Sequence, residues 1–312
     1  MSAGLEDMVA DYLRVRRALG YKLKDNEHIL VQFTAHLRAH DAQALTVEHA
    51  LGFATASTGA SPRRQALRLS AIRCFARWAM AIDSTVQVPP ARLLPARVTR
   101  AAPYIYTQEQ ISSLIGAADR LTPTIRGATF HTLIALMAAT GLRTGEALGL
   151  DIADLDQQGG TLTVTGKYGK IRMLPLHPTV LHGLTRYLEQ RDQLLPAPNC
   201  PALLISTRGC RLLPSTVYYT FRHVVRQAGL GPVSSACRPR LHDLRHTFAV
   251  ATMLDAYRSG ADPAVTLPVL STWLGHARPS DTYWYLTGTA ELLAAATARL
   301  QHLHEDGQGE PS

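Results

Sequence analysis

Five short segments carry side chains whose types and spacing could do chemistry together. In chain order they are Ala139-Thr-Gly-Leu-Arg143-Thr-Gly-Glu146; Gly166-Lys167-Tyr-Gly-Lys170-Ile-Arg172-Met-Leu-Pro175-Leu; Leu241-His242-Asp-Leu-Arg245-His246-Thr-Phe-Ala249; Leu274-Gly-His276; and Tyr285, nine residues beyond His276. Two arginines, a lysine, histidines and a tyrosine are the groups needed to handle a phosphodiester. Guanidinium forks bind non-bridging oxygens in pairs and stay charged at any working pH. Such a clamp stabilises the charge of a pentacoordinate transition state. Histidine exchanges protons near neutrality, and a tyrosine hydroxyl can act as a covalent nucleophile. Each segment alone is ordinary: lysines often flank turns, and one of 11 tyrosines carries little information. Their conjunction in this order is the signal.

These groups need elements to position them. Apolar spacing predicts a helix through Phe130–Ala139 that stops at Gly141. His242 and Arg245 are three apart, so both can point to one side of a helix. Thr161–Thr165 alternates like a strand and Ile171–Leu176 returns as a second, so Lys167 falls beside a hairpin turn. Asp151–Asp156 is a candidate third strand. Thr107-Gln-Glu-Gln110 is a capping-box pattern that opens a helix. From Pro178 the chain reads as helical to about Leu303, with apolar Leu292, Leu293, Ala296, Leu300 and Leu303 near its end. Residues 4–80 read as helices. In the last of these, Arg63–Ala81, Leu67, Ile72, Phe75 and Trp78 are available to a core, and Arg64/Arg68 and Arg73/Arg77 are i,i+4 pairs.

The chain has 312 residues, enough for two domains, and 46% hydrophobic content, which excludes a wholly disordered chain. No apolar run is long enough to span a bilayer, and early charges such as Glu6, Asp7 and Arg14 argue against a secretory leader. Four cysteines without CxxC spacing suggest neither a zinc site nor a disulfide framework. The net charge of +8 favours a polyanionic partner. Residues 1–100 hold 14 Lys+Arg against 8 Asp+Glu, so +6 of the excess lies there. Residues 84–106, with four prolines and Arg92, Arg97 and Arg100, read as a basic linker.

With these motifs in view, the sequence resembles the tyrosine recombinases of the phage-integrase and Xer-like type over nearly its whole length. Carried over position by position, the family's catalytic set falls on Arg143, Lys167, His242, Arg245, His276 and the nucleophile Tyr285. Glu146, Arg172, Pro175, His246 and Phe248 also fall in register. Tyr168 stands where the family's hairpin turn usually has glycine, and the stretch between His246 and His276 is longer than usual. Tyr283 is a rival nucleophile that fits the spacing less well.

The resemblance implies a mainly α architecture with a small antiparallel sheet. A helical core-binding domain would span 1–83, a linker 84–106, a catalytic domain 107–304 and a disordered tail 305–312. It implies cleavage and rejoining of double-stranded DNA through a 3′-phosphotyrosine, for integration, excision or resolution of a mobile element, with no metal, ATP or other cofactor. The expected partners are duplex DNA and three further copies, in a tetramer joined through the C-terminal helix, in the cytoplasm and at the nucleoid rather than at a membrane. The two domains would close as a C-shaped clamp, with Arg64, Arg68, Arg73 and Arg77 as candidate DNA contacts. Two other readings are a DNA-relaxing enzyme of the type IB topoisomerase kind and a non-catalytic DNA-binding regulator on the same fold.

Overall fold

A computed structural model describes residues 2–42, 44–56, 59–95, 102–166, 169–276, 294 and 297. The chain divides into two compact units, Met1–Arg100 and Ala101–Ser312.

The N-terminal unit is helical: α1 (Ser2–Ala18), α2 (Lys24–Ala39), α3 (Val47–Thr55) and α4 (Pro62–Ala79). Leu30, Phe33, Phe53, Ile72 and Phe75 are buried at its centre, and Tyr12 meets Phe75 edge-on at 5.6 Å between ring centroids. Pro62 opens α4 at a position where a missing N–H costs nothing, and the Ser61 hydroxyl accepts from the Arg64 amide. Ile72 and Phe75 are in the core as expected and Trp78 is partly buried, but Leu67 lies outside it, 55% exposed. It falls on the outer face of the helix, with Arg64 rather than with Ile72.

The expected linker is packed at both ends. Val86 joins the N-terminal core, and Gln87 donates its amide to the Leu45 carbonyl. Tyr104 and Tyr106 are buried in the C-terminal core. The span from 96 to 101, with Arg97 and Arg100, lies outside the described residues.

The C-terminal unit begins with α5 (Gln108–Asp119), where the Thr107–Gln110 capping box forms in both directions. α6 (Thr124–Thr140) is apolar nearly all round and is the central helix, packed on α5, α8 and α10. It ends at Gly141 (φ 63°), where an added Cβ would stand 2.5 Å from the Phe248 ring. Then follow α7 (Thr144–Gly149), one 3-10 turn (Ile152–Asp154) and an antiparallel sheet in the order β1-β2-β3. Its strands are β1 (Leu155–Asp156), β2 (Thr161–Thr165) and β3 (Ile171–Pro175). The candidate third strand is therefore two residues long, because the turn before it takes up the rest. Leu162, Val164 and Leu174 point into the core, which fixes the β2–β3 register.

α8 (Pro178–Leu194), α9 (Pro214–Gln227), α10 (Asp243–Arg258) and α11 (Pro263–Leu274) complete the described unit. The helical reading beyond Pro178 needs correction between them. Residues 195–213 and 228–242 are turns and loops with short bridges, Asp151 to Ala202 and Ile205 to Arg211. The expected C-terminal helix (290–303) and tail lie beyond the described segments, apart from positions 294 and 297. Among the described residues, no helix is long and apolar enough to cross a membrane.

Candidate active site

The C-terminal end of α11 is the point on which the sequence motifs converge. A helix leaves its last carbonyls without partners. Here the amides of Gly275 and His276 turn back to bond the Thr272 and Ser271 carbonyls. The next three carbonyls in a row each accept from a different arginine. Trp273 O accepts from Arg172 Nε (2.8 Å), Leu274 O from Arg245 Nη2 (2.7 Å) and Gly275 O from Arg143 Nη2 (3.1 Å). The negative end of the α11 dipole favours this gathering of cations. Gly275 makes it possible: at φ 65°, an added Cβ would lie 2.9 Å from Arg172 Nη1.

Arg143 caps α7 just after the Gly141 turn. Its Nη1 donates to Glu146 Oε1 (2.7 Å) and its amide to Oε2 (2.9 Å). Arg172 reaches the same carboxylate from β3, Nη1 to Oε1 (3.1 Å) and Nη2 to Oε2 (2.9 Å). Arg245 Nη1 lies 3.8 Å from Oε2. Burial would raise the Glu146 pKa, but hydrogen bonds from Arg172 and from the Arg143 amide outweigh it and hold it at about 2. Three guanidiniums around one carboxylate leave a net positive cluster, the electrostatics an anion requires.

Arg245, in the first turn of α10, is fully buried. Besides Leu274 O it donates to Gly141 O (2.8 Å), and its Nη2 lies 2.9 Å from His276 Nε2. A guanidinium has no acceptor, so His276 Nε2 must accept. His242 stands at the N-terminus of α10. The protein around it first, and then Arg245, Arg240 and Arg143, push its pKa well below the ordinary imidazole value. A neutral His242 can take up a proton. Behind it the His246 ring meets His242 edge-on at 5.3 Å, and the fully buried Asp243 holds Arg240 by a two-pronged pair (2.9 and 2.7 Å).

His246 supplies a prediction. Burial first, then the charges of His242, Arg240 and Arg245, lowers its pKa to about 3, against about 6.5 in an unfolded chain. Between these values the unfolded state binds a proton that the folded state does not. Its contribution to stability is therefore present above about pH 6.5 and lost progressively as the pH falls toward 3. Urea unfolding midpoints should fall as the pH drops from about 7 to about 4, and His246→Asn should flatten that slope. A slope unchanged by the substitution would refute this.

The structure thus brings together four of the six residues singled out as catalytic: Arg143, His242, Arg245 and His276. Lys167 and Tyr285, with Tyr283, lie outside the described residues; the Gly166 amide bonds the Lys170 carbonyl (2.7 Å) across the base of the hairpin. Metal-ligand clusters of three or more His, Cys, Asp or Glu are absent among the described residues.

The four arginines of α4 divide. Arg73 donates Nε and Nη2 to the Pro89 and Pro90 carbonyls (2.9 and 2.8 Å), so it fastens the segment after α4. Arg68 lies over the Phe53 ring at 4.0 Å. Arg64 and Arg77 are exposed. Helical period revealed the shared faces, but not that two of the four have partners within the unit. In the sequence, Glu146 and Arg172 stand out only as positions in register with the family pattern. Their place at the centre of the site is set by long-range contacts.

Comparison with known proteins places these motifs in a wider group. The model of the phage integrase family matches residues 105–291. A Sinorhizobium fredii protein that carries the integrase/recombinase name y4rB is 41% identical over 305 residues, covering 96% of this chain and 97% of that one. The tyrosine recombinase XerD of Neisseria meningitidis is 33% identical over 222 residues, 71% of each chain. Among solved structures, a lambda integrase tetramer bound to a Holliday junction has the same fold, at a TM-score of 0.59 and 19% identity, over 90% of this chain and 76% of that one.

Proposed function

The chain belongs to the phage integrase family of tyrosine recombinases and is a site-specific DNA recombinase, and on that premise we propose which of its residues carry the reaction. The observation that supports the assignment is the convergence of Arg143, Arg245 and His276 on the end of α11, with His242 beside them. Arg143 and Arg245 clamp the non-bridging oxygens of the scissile phosphate and stabilise the charge that builds up in the transition state. The Tyr285 oxygen attacks phosphorus, and the bond to the 5′ oxygen breaks. The tyrosine proton passes to neutral His242, while Lys167 protonates the departing 5′ oxygen. His276 bonds the phosphate once Arg245 turns from its ring nitrogen to the substrate. A 5′-hydroxyl from the partner strand then attacks the phosphotyrosine and releases the tyrosine. The covalent link conserves the bond energy, so neither ATP nor a metal ion is required.

Residues 1–83 form the core-binding domain in this reading, with the exposed Arg64 and Arg77 toward DNA phosphates and Arg68 and Arg73 holding the unit together. Residues 107–304 form the catalytic domain. The acting species is a tetramer of this chain on two duplex sites in the cytoplasm. An apolar groove lined by Leu176, Val180, Phe248, Val269, Leu270 and Trp273 suits the apolar face of the 290–303 segment from a neighbouring copy. Deleting residues 290–312 should leave DNA binding and cleavage at a single site intact and abolish the four-copy complex in gel-shift and light-scattering measurements. A tetramer formed by the truncated chain would overturn this docking.

The reaction is tested with a nicked duplex carrying the chain's own site, incubated in EDTA without nucleotide. The expected result is a protein–DNA adduct that survives SDS, followed by exchange of strands between two intact sites. An adduct together with relaxation of plasmids that lack a second site would indicate the topoisomerase reading. Salt-sensitive binding with no adduct at any site would indicate a DNA-binding regulator.

A further inference from the structure

We propose that Arg172, a residue with no part in the phosphate clamp itself, is the positioning residue that sets both Arg143 and the His276 loop through one guanidinium. The proposal rests on the recombinase reading above and adds a role to that site. Arg172 lies on β3, yet its side chain is only 14% exposed and points into the cluster. Three of its donors are engaged on protein acceptors. Nη1 and Nη2 fork onto Glu146, and Nε holds the Trp273 carbonyl. All three of its nitrogens are thus engaged on protein acceptors, on two different elements.

Each of its partners leads to a reacting group. Glu146 passes the constraint to Arg143, whose Nη1 and amide bond the two carboxylate oxygens. Trp273 O belongs to the same run of carbonyls as Leu274 O and Gly275 O, which hold Arg245 and Arg143 and lead directly to His276. The packing leaves little room for another arrangement. A Cβ at Gly275 would meet Arg172 at 2.9 Å, and one at Gly166 would lie 3.4 Å from Glu146 Oε1 and 3.6 Å from Arg172 Nη1. A planar fork suits this task and an ammonium does not, because a single nitrogen cannot span both carboxylate oxygens and a carbonyl on another element.

The test is Arg172→Lys, which keeps the charge and removes the fork. On the ordinary nicked duplex, single-turnover adduct formation should fall about thirtyfold or more, while the DNA dissociation constant stays within about threefold. A second substrate carries a methylphosphonate at the scissile position, which removes the non-bridging charge that the clamp exists to stabilise. If Arg172 acts by setting Arg143, the gap between wild type and Arg172→Lys narrows at least tenfold on that substrate. Equal losses on both substrates would overturn the proposal, because a general loss of folded protein affects both alike. Cleavage by Arg172→Lys at the wild-type rate would also overturn it. Circular dichroism and urea unfolding of the variant separate misfolding from mispositioning. Should the lysine variant not fold, Glu146→Gln, which weakens the same link from its other side, takes its place with the same two substrates. Failure of the recombinase reading would look different: wild type itself would form no adduct on either substrate.

Discussion

Replacing Tyr285 with phenylalanine should abolish the covalent DNA adduct while leaving DNA affinity and folding unchanged. The substitution removes one oxygen and keeps the ring, so its effect isolates the nucleophile. Nucleophilic catalysis splits the transfer into two steps, and without the hydroxyl neither exists. The loss should be complete within detection, not partial. Tyr283→Phe, only two residues away, should retain adduct formation at near the wild-type rate. This contrast matters because the chain holds 11 tyrosines, and Tyr285 is selected among them only because its spacing of nine from His276 matches the family pattern. Gel analysis after SDS treatment checks both variants. An adduct that persists in Tyr285→Phe and disappears in Tyr283→Phe would shift the nucleophile by two positions.

Arg245→Lys should produce the second largest defect, about a hundred- to a thousandfold in single-turnover cleavage. That is the usual cost of removing one preorganised donor from a transition-state oxyanion. Arg245 does more than carry charge here. It joins Gly141 O at the end of α6, Leu274 O at the end of α11 and His276 Nε2, all within 2.9 Å. One ammonium cannot reach acceptors at two separate helix ends in the plane that a guanidinium provides. Lysine should therefore lose the phosphate fork and also release His276 from its present orientation. DNA affinity should change far less than the rate, because most binding energy comes from phosphates elsewhere along the duplex. Cleavage within tenfold of wild type would mean that charge alone suffices at this position, against the geometry seen.

Much of this site was legible in the sequence for physical reasons. The Gly141 turn, the Thr107–Gln110 box and the alternation in Thr161–Thr165 are local, and each produced the element its pattern implies. Arg143, His242, Arg245 and His276 come from motifs in order, read through the family resemblance, and they converge. What period and spacing do not encode is which partner a side chain finds across the fold. Arg172 and Glu146 meet across 26 sequence positions, and Arg172 reaches the Trp273 carbonyl across 101. The same gap explains α4. An i,i+4 pattern places Arg68 and Arg73 on helix faces, yet Phe53 lies under one and the Pro89 and Pro90 carbonyls receive the other. The amphipathic reading makes Leu67 available to the core, yet the buried face of α4 carries Ile72, Phe75 and Ala79 and leaves Leu67 outside.

The most direct test is to map the bond itself. Wild-type protein is trapped on a nicked duplex in EDTA, digested with protease and nuclease, and the nucleotide-bearing peptide is sequenced by mass spectrometry. The expected product is a single peptide with a nucleotide joined through its 3′-phosphate to the Tyr285 oxygen, and a free 5′-hydroxyl on the released strand. A nucleotide on any other residue, or a 5′-phosphate linkage, would contradict the assignment of Tyr285 and the order of bond breaking built on it.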